Sequence, residues 1–156
     1  MIPSSAFSIR SSRDFEKKAL EIFLFQANNN SVYKKYIEQL GINPEKIKSL
    51  QQIPFLPIEF FKTQEVISRS SVVGHRSSVF LSSGTTSAER SSHFVSDISL
   101  YEKSFQKCFE LFYGDIKQYA ILALLPGYYE NKNSSLIYMV MDLIKRSQNK
   151  HSNFFN

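Results

Sequence analysis

A chain of 156 residues and 18.0 kDa is the size of one ordinary domain. Its 42% apolar and 14% aromatic residues, against 21% charged ones, are enough to build a packed core and exclude wholesale disorder. The single cysteine excludes a disulfide scaffold and a cysteine-built zinc site and points to a reducing compartment, and no metal-ligand spacing of His, Cys, Asp or Glu is read in the chain.

The net charge of +5 is scattered: Arg10, Arg13, Lys17 and Lys18, then Lys34 and Lys35, then Lys145, Arg146 and Lys150. No basic run is interleaved with aromatics, so these charges read as solvated helix faces and no nucleic-acid partner is expected. A mild positive balance suits a small anion such as a nucleotide. No apolar run approaches the roughly 18 residues of a membrane span. Met1 to Phe7 lacks a basic stretch followed by an apolar one, so no signal peptide is read. A cytoplasmic location is expected.

Ser11 with Asp14 three residues on marks a helix start, followed by Phe15, Ala19, Ile22 and Phe23 at helical spacing. Asn28-Asn29-Asn30 breaks that helix. A second begins near Ser31, with Val32, Tyr33, Tyr36, Ile37 and Leu40 on one face and Gly41 just past its end. Asn43-Pro44 opens a short turn carrying Ile47 and Leu50. Ile53-Pro54-Phe55-Leu56-Pro57-Ile58 cannot be a regular helix, because each proline lacks an N–H and drives the residue before it towards an extended conformation. It is expected to cross the core surface as an extended tie with its apolar side chains buried.

From Val72 the period changes to two. Val72-Val73, the turn Gly74-His75 and Ser78-Val79-Phe80-Leu81 read as strand, turn, strand, and His93-Phe94-Val95 reads as a further short strand. Asp97 caps a helix carrying Tyr101, Phe105, Cys108, Phe109 and Phe112 and ending at Gly114, which places Cys108 on a buried apolar face as an inert thiol. Tyr119 to Leu125 is a nearly continuous apolar run stopped by Pro126-Gly127, the signature of a strand covered on both faces of a parallel sheet. A last helix starts at Ser134 or Ser135, capped there rather than binding a ligand, and carries Leu136, Ile137, Met139, Val140, Leu143 and Ile144. Phe154-Phe155 reads as the opening of another strand, so the chain is expected to be a truncated piece. The expected architecture is α/β. A helical N-terminal segment, residues 1–70, precedes strand–helix–strand–helix layers over 71–156, the two forming one continuous, incomplete domain.

The sharpest local feature is Phe80-Leu81-Ser82-Ser83-Gly84-Thr85-Thr86-Ser87-Ala88. Hydroxyl residues bracket one glycine directly after an apolar strand. Consecutive backbone N–H groups in such a bend make an anion-binding concavity, small side chains admit close approach, and Arg90 can add a charge-assisted bond. On composition alone a solvated Ser/Thr turn is an equal alternative. A Walker loop and a dinucleotide fingerprint are both excluded, since Gly84 stands alone and no Gly-Lys-Ser/Thr follows. His93 reads as a strand residue, with a phosphate contact as the alternative, and His75 and His151 join no ligand set. Ser83 has no nearby His to make it a hydrolase nucleophile.

Ser82-Ser83-Gly84-Thr85-Thr86 resembles the nucleotide-phosphate loop of the adenylate-forming superfamily, although Ser87 stands where those enzymes usually carry glycine and Glu89-Arg90-Ser91 replaces their Pro and Lys. The flanking stretches Ile53 to Lys62, Leu124-Leu125-Pro126-Gly127-Tyr128-Tyr129 and Asn133 to Leu136 resemble one branch, the acyl-protein synthetases that activate fatty acids in bacterial bioluminescence. The likeness spans roughly residues 53–144, and the phenylacetate-CoA ligase branch is its nearest competitor.

The resemblance implies an ATP- and Mg²⁺-dependent ligase. A carboxylic acid, in this family a fatty acid, attacks the α-phosphate of ATP to give an acyl-adenylate and pyrophosphate, and a protein or CoA thiol then takes the acyl group. It places Ser82, Ser83, Gly84, Thr85, Thr86, Ser87 and Arg90 at the phosphates. Tyr128 lines the acyl or adenine pocket or packs as a surface turn residue. It assigns no catalytic residue within the chain, and the fragment alone is expected to be inactive. Two further readings stay open: a non-catalytic nucleotide- or phosphate-binding module, and an interaction protein whose unfinished sheet recruits a missing half.

Overall fold

In a computed structural model of the chain, which describes residues 7–68, 76–82, 90–125 and 133–155, Ser11 caps the first helix by accepting a bond from the Asp14 N–H. Helix α1 runs Ser12–Asn29 and α2 runs Ser31–Gln39, with Asn30 alone between them. The Asn30 N–H donates to Gln26 O at 2.9 Å and ends α1, while its Oδ1 accepts from the Val32 and Tyr33 N–H groups, both at 3.1 Å, and starts α2. One buried residue therefore serves two helix ends, its backbone N–H closing α1 and its side chain opening α2. Phe23 and Ala27 of α1 meet Tyr33 and Ile37 of α2 in a helical core, with Ile37 only 1% exposed. Gly41 ends the pair at a φ of 67°.

A 3-10 turn at Pro44–Lys46 and another at Leu50–Gln52 lead into residues 53–57, which are extended as their prolines require. Two tyrosines clamp this segment to α2: Tyr33 OH donates to Pro54 O at 2.5 Å and Tyr36 OH to Phe55 O at 3.3 Å. Its side chains sort with a period of three. Ile53 and Leu56 pack on the helical core, but Phe55 and Ile58 are each 74% exposed. The expected burial of the whole tie is thus corrected, because an extended segment fixed by its carbonyls presents one edge to the core and another to solvent. The short helix α3, Phe60–Thr63, follows.

The rest is mixed. Strand β1 (Ser78–Leu81) pairs antiparallel with β2 (Ser92–Val95), helix α4 (Ile98–Tyr113) follows its Asp97 cap, and β3 (Leu122–Leu124) and β4 (Asn153–Phe155) flank helix α5 (Ser135–Ser147). The proposed strand at Val72-Val73 and turn at Gly74-His75 lie outside the described residues. β3 and β4 are parallel, with Leu122 opposite Asn153 and Leu124 opposite Phe155. Helix accounts for 55% of the structure and each sheet has two strands, so the fold is mixed and mostly helical rather than a layered sheet.

Two expectations about apolar runs are corrected here. Ala123 is buried, but Leu122 and Leu124 on the opposite side of β3 are 61% and 73% exposed, so this strand is covered on one face only. On α4 the inward stripe is Ile98, Tyr101, Phe105 and Phe109, whereas Cys108 and Phe112 lie on its flank and are exposed. The stripe follows the 3.6-residue period, and a flanking position reads as apolar without facing the core.

Replacing Ile37 with Ala should cost about 2–5 kcal/mol by leaving a cavity. Asn30→Ala should cost about 1–2 kcal/mol by stripping the side-chain cap of α2, the backbone bond that closes α1 being kept. Urea unfolding of each variant checks the two values.

Candidate functional site

Phe80 is the only residue of β1 turned fully inwards, 4% exposed, and its ring meets Tyr101 of α4 at 5.2 Å and Tyr138 of α5 at 5.6 Å between centroids. This aromatic contact fixes β1 upon the two helices. One residue later the hairpin closes at a neck. The Ser82 N–H donates to Ser91 O at 3.0 Å, and the Ser91 N–H donates to Ser82 Oγ at 3.0 Å. The Leu81 N–H turns the other way and donates to Asn133 O at 3.0 Å, just before the Ser134 cap of α5.

Asn133, the first described residue after 126–132, is therefore bonded to the residue before Ser82, from which the sequence-predicted phosphate loop departs. Ser83, Gly84, Thr85, Thr86, Ser87 and Tyr128 themselves lie outside the described residues. Of the remaining candidates, Ser82 has its oxygen engaged in the neck as an acceptor from the Ser91 N–H. Arg90 is exposed beside it, and among the described residues it forms no ion pair. Between Ser78 and Ser82, and between Arg90 and Ser96, there is no carboxylate. These flanks offer an anion donors and one full positive charge.

His93 sits opposite Phe80 in the hairpin with its ring edge-on to Phe61 of α3, centroids 6.1 Å apart and planes at 89°, which fits a strand residue holding α3. Ser134 caps α5, its Oγ accepting from the Ile137 N–H at 3.4 Å, so its hydroxyl serves the helix. His151 is exposed in the turn before β4. Among the described residues no three His, Cys, Asp or Glu side chains gather closely enough to hold a metal ion, so Mg²⁺ has no protein-built cage there.

Two open depressions, of about 290 and 350 Å³, are lined by other residues: one by Phe109, Ile116, Leu143 and Arg146, the other by Val32, Lys35, Tyr36 and Phe60. Neither is lined by a residue of the hairpin neck.

The sequence pattern missed a polar cluster behind the hairpin. Glu102 of α4 accepts from Tyr138 OH at 2.5 Å and from Arg76 Nη2 at 3.0 Å, joining the start of β1 to both helices. Residues 26 and 36 positions apart give no periodic or motif signal. Burial first, then the bond to Glu102 and its charge, push the Tyr138 phenol up to about 12. Burial, with a smaller contribution from Tyr36, pushes Tyr33 to about 12 as well.

No protein-family profile, no curated protein and no solved structure matches the chain. No helix among the described residues is long and apolar enough to cross a membrane.

The raised phenols set an alkaline limit. Folding favours their neutral form, so this stabilisation is complete below the free tyrosine value of about 10. It is lost as pH rises through about 12. Absorbance titration of phenolate should show Tyr33 and Tyr138 ionising late in the folded chain, with Tyr101 also raised by burial, and unfolding should follow in the same window. Ser82→Ala should speed exchange of the Ser91 amide about tenfold by removing its acceptor, a cost near 1 kcal/mol, as amide exchange by NMR would show.

Proposed function

We propose that the chain carries the nucleotide-phosphate loop of an adenylate-forming, acyl-activating ligase of the acyl-protein synthetase type. The observation that carries this reading is the hydroxyl-rich sequence Ser82-Ser83-Gly84-Thr85-Thr86 mounted on a hairpin whose neck is bonded to the residue preceding α5. A phosphate-holding bend needs a rigid base, an absence of nearby anions and a supply of N–H and O–H donors. The described flanks supply a bonded base and carry no carboxylate, Glu89 within the bend stands beside the cation Arg90 in the sequence, and the sequence of the bend supplies the donors.

In this reading the carboxylate oxygen of a fatty acid attacks the α-phosphorus of ATP, the bond to the β-phosphate oxygen breaks, and pyrophosphate leaves. The thiol of a protein or of CoA then attacks the acyl carbon and AMP departs. The chain's own contribution is positioning and charge neutralisation. The backbone and hydroxyls of Ser82 to Ser87 hold the β- and γ-phosphates, Arg90 adds a guanidinium at the edge, and Mg²⁺ arrives with the nucleotide. Tyr128 lies in the segment that returns to the neck at Asn133, which suits a residue lining the acyl or adenine pocket. A cytoplasmic location accords with thiol and ATP chemistry.

Calorimetric titration with Mg-ATP tests the loop directly. Wild-type chain should bind, Thr85→Ala with Thr86→Ala should abolish binding, and Arg90→Ala should weaken it about 10- to 100-fold, as expected for a charge-assisted bond. Carboxylate-dependent exchange of labelled pyrophosphate into ATP separates a ligase from a module that only holds nucleotide. Binding unchanged in the double variant would remove the loop from the function.

A further inference from the structure

Helices α4 and α5 run side by side in the same direction, and polar bonds join them at matched intervals. Tyr101 OH donates to Ser135 O at 3.0 Å, Tyr138 OH to Glu102 Oε1 at 2.5 Å, and Gln106 Nε2 to Asp142 Oδ2 at 3.1 Å. Glu102 to Gln106 and Tyr138 to Asp142 are each about one helical turn, so two of these bonds stand as rungs one turn apart, with the Tyr101 bond closing the end next to Ser135. Both ends are reinforced: Arg76 holds Glu102 at 3.0 Å, and Arg146 Nε holds Asp142 at 2.5 Å.

The contact of Phe80 with Tyr138 seats β1 on the helices, and the directional bonds to carboxylates fix which turn of α5 faces which turn of α4. A slip of α5 by one turn, about 5.4 Å, would leave Glu102 and Asp142 facing the wrong partners. It would also carry Asn133, which leads directly into α5, away from the Leu81 N–H.

We propose that Glu102 and Tyr138 are positioning residues: the ladder they open sets the axial register of α5 and so holds Asn133, with the segment returning there, against the mouth of the β1–β2 hairpin. The importance of that mouth for nucleotide rests on the function proposed above; the ladder's hold on Asn133 does not.

The test is amide exchange by NMR on the whole chain in Glu102→Leu, which removes the acceptor, and Tyr138→Phe, which keeps the ring against Phe80. The Leu81 amide should exchange about tenfold faster or more in each, the loss expected for a bond to a charged group. The Ser82 amide, bonded across the neck to Ser91, should keep its protection. Ile37→Val, which loosens the separate helical core, should leave Leu81 unaffected at a temperature where every variant is folded. Where wild-type chain binds Mg-ATP, both ladder variants should bind it about tenfold more weakly and Ile37→Val should bind as wild type does.

Unchanged Leu81 exchange overturns the proposal, as does equal acceleration of Leu81 and Ser82, which would mean general fraying of the hairpin. An effect of Ile37→Val matching that of the ladder variants overturns it too, and so does ATP affinity unchanged in both. A wild-type chain that binds no ATP defeats the nucleotide reading instead and leaves Leu81 exchange to decide the ladder.

Discussion

The burial of Phe80 between Tyr101 and Tyr138 is the contact on which the C-terminal half depends. A four-residue strand paired with one other strand is marginal by itself. Seating its one inward ring among aromatics of two helices gives it the apolar burial that the small sheet lacks. Everything of functional interest is then determined by reach along the chain. The strand leaves the aromatic cluster, donates sideways from Leu81 to Asn133, closes at Ser82 and Ser91, and only then enters the hydroxyl-rich bend. A bend that must hold an anion without reorganising needs such a fixed base.

The helical half uses the same economy of means. Asn30 serves as the stop of one helix and the start of the next, and its buried amide also donates to Gln26 Oε1 at 3.2 Å. Gln26 Oε1 in turn accepts from Ser68 Oγ at 2.8 Å, so the point where the chain leaves the helical half is tied to the corner where its two helices meet. Tyr33 and Tyr36 extend the corner outwards by bonding to carbonyls of the proline segment. Those carbonyls are free to accept because prolines prevent that stretch from forming a helix.

The apolar side chains left in solvent share a cause. Phe55, Ile58, Leu122 and Leu124 all belong to extended segments with one side occupied, by the helical core in the first case and by the inward side of β3 in the second. Extended chain presents its side chains in opposed or three-fold directions, so covering one side leaves another bare. Counting hydrophobic residues in a run cannot distinguish a strand covered twice from one covered once, which is why the run from Tyr119 to Leu125 read as fully buried. Cys108 misled for a related reason: it lies one position off the Ile98, Tyr101, Phe105, Phe109 stripe, and a wheel of apolar residues looks continuous there.

Local chemistry by itself determined where the elements begin and end. Ser11, Asp97 and Ser134 each cap the helix the sequence assigns to them, Asn30 ends the first helix as expected and also caps the second, Gly41 and Gly114 stand at positive φ where helices stop, and the prolines keep residues 53–57 from forming a helix. These are contests within a few residues, decided by hydrogen-bond supply and backbone sterics. Tertiary structure alone decided that β1 pairs with β2, that β3 and β4 form a separate parallel pair, and that Glu102, Tyr138 and Arg76 meet. It also decided that Leu81 reaches Asn133, 52 positions on. Those outcomes join residues dozens of positions apart, where no local preference acts and only the packing of whole helices chooses the partner.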